Sequence, residues 1–169
     1  LALTGMTING FGSINDNGGV LYVDGDCLFS AVNVNFTESV GTYGGSIYMT
    51  NNAHGFYIEK CEFNNNTATL PYTGSGGAIY VDKSHSLIIK SSKFIACSAS
   101  LYGGAISLND KNKNIDILNN AFYTCAAKYG GAVSLYGRNE YMNIMNSTFG
   151  YCKAVKGGHG GAISFHDNN

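Results

Sequence analysis

Two carboxylates, three thiols, a histidine among glycines and a set of tyrosines are the side chains whose types and spacing suggest chemistry. Asp24 and Asp82 each stand six residues after the first glycine of a Gly-Gly pair, and Thr50 takes that place in the unit between them. Paired carboxylates do acid and base work when water or substrate fits between them. The same place in later units holds Asn109, Tyr136 and His166, so nothing else converges on the pair. Asp24 and Asp26 share a turn, where solvated acids are ordinary. Cys97, Cys125 and Cys152 each follow a phenylalanine by three residues. A metal or redox column is one reading of them. With no Cys-x-x-Cys and no histidine in matching register, the other is that small polarisable thiols fill a buried slot. Stacked one coil apart, neighbours also fall within the Cα separation of a disulfide, but direct stacking leaves their Cβ atoms rather far apart, so a bridge needs local distortion, and three in a row cannot all pair. Cys27 and Cys61 have no mate in their slots. No metal or cofactor site is expected, and the Gly-x-Gly patterns follow no strand-to-helix unit that would make a nucleotide loop.

Tyr22, Tyr48 and Tyr80 occupy one outward slot in three successive units, and Tyr43, Tyr102 and Tyr129 each precede a Gly-Gly pair. Rows of aromatic rings suit contact with sugar rings or with another chain. Tyrosine also simply suits strands. Three Asn-x-Ser/Thr sequons begin at Asn35, Asn65 and Asn146, each at a turn or outward position, so glycans are expected there if the source glycosylates secreted proteins.

Composition narrows what these residues serve. The chain has 169 residues, net charge −1 and 12% charged residues, about half the usual share. With Arg138 as the single arginine, there is no electrostatic footprint for nucleic acid. No apolar run approaches the ~18 residues of a membrane helix. Gly at 23 residues argues against a helical bundle, and 44% hydrophobic residues argue against disorder.

The elements that must position these side chains come from an internal repeat. Gly-Gly followed by a small residue and Leu, Ile or Val occurs six times, beginning at Gly18, Gly44, Gly76, Gly103, Gly130 and Gly160. A second anchor alternates with it: Ile8, then Phe36, Phe63, Phe94, Phe122 and Phe149. The distance from Gly-Gly to the next anchor is nearly constant, whereas the segment from anchor to Gly-Gly varies. Alternation of apolar and polar residues marks a strand after each Gly-Gly, such as Ile106-Ser107-Leu108, and a second strand, such as Leu87/Ile89. The anchor makes a third. Polar turn residues, among them Asn33, Lys60 and Ser91, separate the second and third. Three short strands per ~27-residue unit, with matching inward positions, predict an all-β parallel β-helix of about six coils. At ~4.8 Å per coil, Asp24 and Asp82 lie ~9.6 Å apart. The variable segment should carry insertions. The longest, Asn64–Ser75, holds the only proline, Pro71, and is expected to protrude as a loop. Leu1 already occupies a core-strand position and Asn169 closely follows one, which suggests a single β-helix domain, 1–169, cut from a longer solenoid.

Gly-Gly-Ala-Ile at Gly76, Gly103 and Gly160, with Phe63-Asn64-Asn65-Asn66, resembles the repeat of chlamydial polymorphic outer-membrane proteins and right-handed β-helix repeats of the pectin-lyase-like superfamily. Elsewhere the Asn of Phe-x-x-Asn is replaced by Cys97, Cys125, Cys152 or Ser39. The resemblance implies a right-handed, single-stranded coil at a cell surface or outside the cell, often in adhesion. Pectin-lyase-like enzymes use clustered carboxylates, and polygalacturonases a Gly-His-Gly element similar to Gly158-His159-Gly160. The paired aspartates that accompany it are absent, so His159 reads as a loop residue. The expectation is therefore a non-enzymatic extracellular structural or adhesive rod. Its partners would be further coils of the same or identical chains, end to end, and glycans. A carbohydrate-active lyase or hydrolase, or a glycan-binding module using Tyr22, Tyr48 and Tyr80, is the alternative.

Overall fold

The computed structural model describes residues 1–166, so Asp167 and Asn169 lie outside the described residues. The chain winds as a parallel β-solenoid of about six turns with no helix among those residues. Each strand pairs with its counterpart one coil away. Ile8 pairs with Phe36, Phe36 with Phe63, Phe63 with Phe94, Phe94 with Phe122 and Phe122 with Phe149. Coils therefore advance by 28, 27, 31, 28 and 27 residues.

Three six-stranded sheets correspond to the three strands read from the repeat. The first sheet follows the Gly-Gly pairs, from Leu21–Asp24 to Ile163–His166; the second runs from Ala2–Thr4 to Glu140–Met145; the third, from Thr7–Asn9 to Thr148–Gly150, carries the anchors. Inward positions form one core. Ile47, Ile79, Ile106 and Val133 follow one another in the first sheet, Phe56, Leu87 and Ile115 in the second, and all are buried. Phe36, Phe63, Phe94 and Phe122 are fully buried, with parallel rings 4.7–4.8 Å apart.

A fourth, five-stranded sheet adds to the three-strand reading of the coil. It is built from Val40–Gly41, Thr67–Ala68, Ser98–Ala99, Ala126–Tyr129 and Lys153–His159, inside the variable segment. Most of these strands are two residues long, too short to alternate, and their inward residues Ala68, Ala99 and Ala127 are small. The segment Asn64–Ser75 is thus not all loop. Thr67-Ala68 joins the fourth sheet, and the excursion begins after it, with Tyr72 90% exposed. His159 closes a strand rather than sitting in a loop. Leu1 precedes the first strand and is exposed, its amino group donating to the Leu28 carbonyl.

Corners let the chain turn without losing register. The turn residues Asn33, Lys60, Ser91, Asn119 and Asn146 all have left-handed backbone, φ 51–55°. In the pair Gly103-Gly104 the first glycine has φ 59°, and a Cβ on the second would strike the carbonyl of Gly131 in the next coil. That close approach explains the paired glycines.

Candidate functional site

Only the outward residues and the corners are free to act, because the lumen is filled. On the first sheet Tyr22, Tyr48 and Tyr80 stack in register, ring centroids 5.1 and 5.3 Å apart and planes within 8°. Rings packed face to face along the coil axis hold each other's faces. Tyr22 is 53% exposed, Tyr48 half-buried and Tyr80 only 9% exposed. Tyr43 leans against Tyr80 at 4.9 Å, and burial pushes the Tyr80 hydroxyl far above its ordinary pKa. The row is therefore a packed stack, and the outer face of Tyr22 is its accessible aromatic face.

From the fourth coil the slot holds Ser107, Ser134 and Ser164, all buried. The Ser164 hydroxyl donates to that of Ser134 at 3.0 Å. The bulk moves to the residue before the glycines. Tyr102 stacks on Tyr129 at 5.3 Å and tilts against Tyr136 at 5.0 Å, and Tyr129 meets the His166 ring edge-on.

Asp24, Thr50 and Asp82 share one row in successive coils. The carboxylates have separate partners. Asp82, 7% exposed, accepts from Asn109 at 2.9 Å and from Lys83 at 3.0 Å, which raises the Lys83 pKa. Asp24 is exposed and accepts from Asn51 at 3.0 Å. On the second sheet the Tyr57 hydroxyl donates to Glu59 at 2.7 Å, with Lys90 and Lys60 beside it. These contacts hold Glu59 below the usual carboxylate pKa. An open groove of about 620 Å³ lies over the second sheet, lined by Leu1, Leu28, Phe29, His54, Tyr57 and Ile88 among others, with no carboxylate in its wall.

Cys97, Cys125 and Cys152 form a column in successive coils, continuing Ser39 and Asn66; Cys97 and Cys125 are fully buried, Cys152 half-buried. Each thiol donates to the anchor carbonyl of the preceding coil, Phe63, Phe94 or Phe122, at 3.4–3.6 Å. The neighbouring Cys125 thiol and burial push Cys152 up. Burial likewise pushes Cys61 up. At Cys61 and Cys152 these surroundings favour the thiol over the thiolate. Among the described residues no group of three or more His, Cys, Asp or Glu converges as a metal-binding set. Cys27 is exposed. The sequon asparagines Asn35, Asn65 and Asn146 are all exposed.

The polar residues that matter most structurally were not singled out from the sequence. Several corners place a side-chain oxygen where the preceding coil's backbone N–H needs an acceptor. Asn52 N–H donates to Ser84 Oγ, Ser84 N–H to Asn112 Oδ1, and Asn112 N–H to Asn139 Oδ1, at 2.9–3.2 Å. A second column runs from Cys61 N–H to Ser92 Oγ, Ser92 N–H to Asn120 Oδ1, and Asn120 N–H to Ser147 Oγ. Asn66 does the same for Ser39. A signal existed: Ser84, Asn112 and Asn139 all stand three residues before the first inward residue of a second-sheet strand.

One stretch of this geometry has a counterpart among known repeats. Residues 60–82 match the Chlamydia polymorphic membrane protein (Chlamydia_PMP) repeat. The matched stretch runs from the corner at Lys60 through Phe63, the excursion and Gly76-Gly77 to Asp82, so it contains both anchors. No curated protein and no solved structure matches the chain. The likeness is to one repeat, and it agrees with the repeat architecture of the β-solenoid.

Proposed function

We propose that the chain is a segment of an extracellular or cell-surface rod with a non-enzymatic, structural or adhesive role. The supporting observation is where the buried polar groups go: they bond coil to coil, in columns, instead of converging on a groove. The likeness of residues 60–82 to a polymorphic membrane protein repeat favours display at a surface. The coil is taken as right-handed, the hand that parallel crossovers adopt in nearly all known cases. Coils of the same register, in this chain or an identical one, are the natural partners, because each presents the same apolar rows. Asn35, Asn65 and Asn146 are open to glycan attachment in a glycosylating source.

The test is adhesion. Beads coated with the purified chain should bind the surface that the native protein meets, and the soluble chain should compete. Pectin, alginate and host glycans should remain uncleaved with or without calcium. Cleavage would replace this reading with a carbohydrate-active one. A second reading, glycan binding, rests on the exposed outer face of Tyr22, backed by Tyr48. Glycan-array binding lost in Tyr22→Ala would support it, and binding unaffected by that change would remove it.

A further inference from the structure

Three thiols share one inward column, and their exposure differs. Ser98 pairs with Ala126 and Ala126 with Lys153, so the cysteines just before them stand one coil apart. A coil rise of about 4.8 Å lies inside the Cα window of roughly 4.4–6.8 Å for a disulfide. All three occupy the corner between the third and fourth sheets, outside the strands, and the Cys125 and Cys152 thiols are side-chain hydrogen-bond neighbours, so closing a bridge takes a local adjustment of the corner and leaves the ladders in place. Cys97 and Cys125 are fully buried, whereas Cys152 is partly open. Within the column a reagent therefore meets Cys152 first, while the exposed Cys27 reacts separately. A disulfide is neutral, and neutrality suits a lumen in which an unpaired thiolate is costly.

We infer that Cys125 and Cys152 are a redox-responsive pair that closes to an inter-coil disulfide, with Cys97 left as a thiol. The inference rests on the surface reading for its oxidant, a low-molecular-mass disulfide of an oxidising compartment. Cys152 sulfur, losing its proton, attacks that disulfide, forms a mixed disulfide and releases one small thiol. Cys125 sulfur then attacks the Cys152 sulfur, and the second small thiol leaves with the second proton. Two cysteine thiols are oxidised and one small disulfide is reduced to two thiols. The closed link ties the coil that begins at Cys125 to the one that begins at Cys152.

The test uses the purified chain equilibrated with oxidised glutathione, then denatured, alkylated and digested with trypsin without reduction. Cleavage at Lys111, Lys113, Lys128 and Arg138 separates the three cysteines. Mass spectrometry should find Cys125 joined to Cys152, two hydrogens lighter, with Cys61 and Cys97 alkylated. Cys97→Ser should leave the link intact, and Cys152→Ser should leave Cys125 alkylated. Proteolysis of the region after Lys128 should slow several-fold on oxidation. Free Cys125 and Cys152 at equilibrium, glutathione retained on Cys152, or a Cys97–Cys125 link would each overturn the inference. A link formed in vitro but missing from protein isolated with its thiols trapped would contradict the surface location and leave the pair standing.

Discussion

Phe94 lies between Phe63 and Phe122, ring centroids 4.8 Å away on each side, and is fully buried. Truncating it removes the contact with both neighbours and leaves a hole the stacked coils cannot close. Phe94→Ala should cost about 3–5 kcal/mol, read as a lower denaturation midpoint. A cost below about 1 kcal/mol would mean the column is not close-packed. Ile106, flanked by Ile79 and Val133, is buried as its inward register demands. Alternation exposed these positions because an apolar side chain every second residue has one place to go. The tyrosines were less legible. Tyr22, Tyr48 and Tyr80 share a slot, but the slot does not say that Tyr43 covers the third. Glu59 offers a pH test at the same scale. The Tyr57 hydroxyl is the largest influence holding it down, followed among the favourable contacts by Lys90 and Lys60. Folding thus favours the carboxylate. Its contribution is full above the ordinary value near 4.5 and drains away as pH falls through the lower folded value. In Tyr57→Phe the NMR titration midpoint of Glu59 should rise toward 4.5, and an unmoved midpoint would contradict the assignment.

Strands and corners differ in what they tolerate. The excursion after Thr67-Ala68 holds Pro71 and Tyr72 outside the core, both exposed. Two glycines inserted after Tyr72 lengthen a surface connection, so the stability change should stay within about 0.5 kcal/mol. One glycine inserted between Ile115 and Ile117 turns every later residue of that strand to the other face. Urea midpoints should show the first variant near wild type and the second severely destabilised. Equal effects would mean the strand register is not what holds the coil. The three long sheets were readable because their inward residues are large and alternate. The fourth was not, because Ala68, Ala99 and Ala127 are too small, and their strands too short, to leave a period. The corner columns of Asn and Ser were hidden for a different reason. Asparagine is common in this chain, and its role as an acceptor for the neighbouring coil shows only when coils are superposed.

Six stacked coils make a rod of about 29 Å, with an interior of side-chain rows. The repeat alone made that architecture legible, since two anchors recurring at a near-constant separation, with variation confined to one segment, have few physical explanations. It did not make the activity legible, because the buried polar groups bond to the neighbouring coil instead of converging on a groove. Asp82, the most buried carboxylate of the first sheet, is held by Asn109 and Lys83. The central claim is that this rod stands on the outside of its cell. The direct measurement is antibody binding to intact, unpermeabilised source cells, using serum raised against residues 60–82 and the neighbouring coils. The account predicts labelling of intact cells that is lost after brief protease treatment. Labelling that appears only after permeabilisation, and survives protease on intact cells, would contradict it.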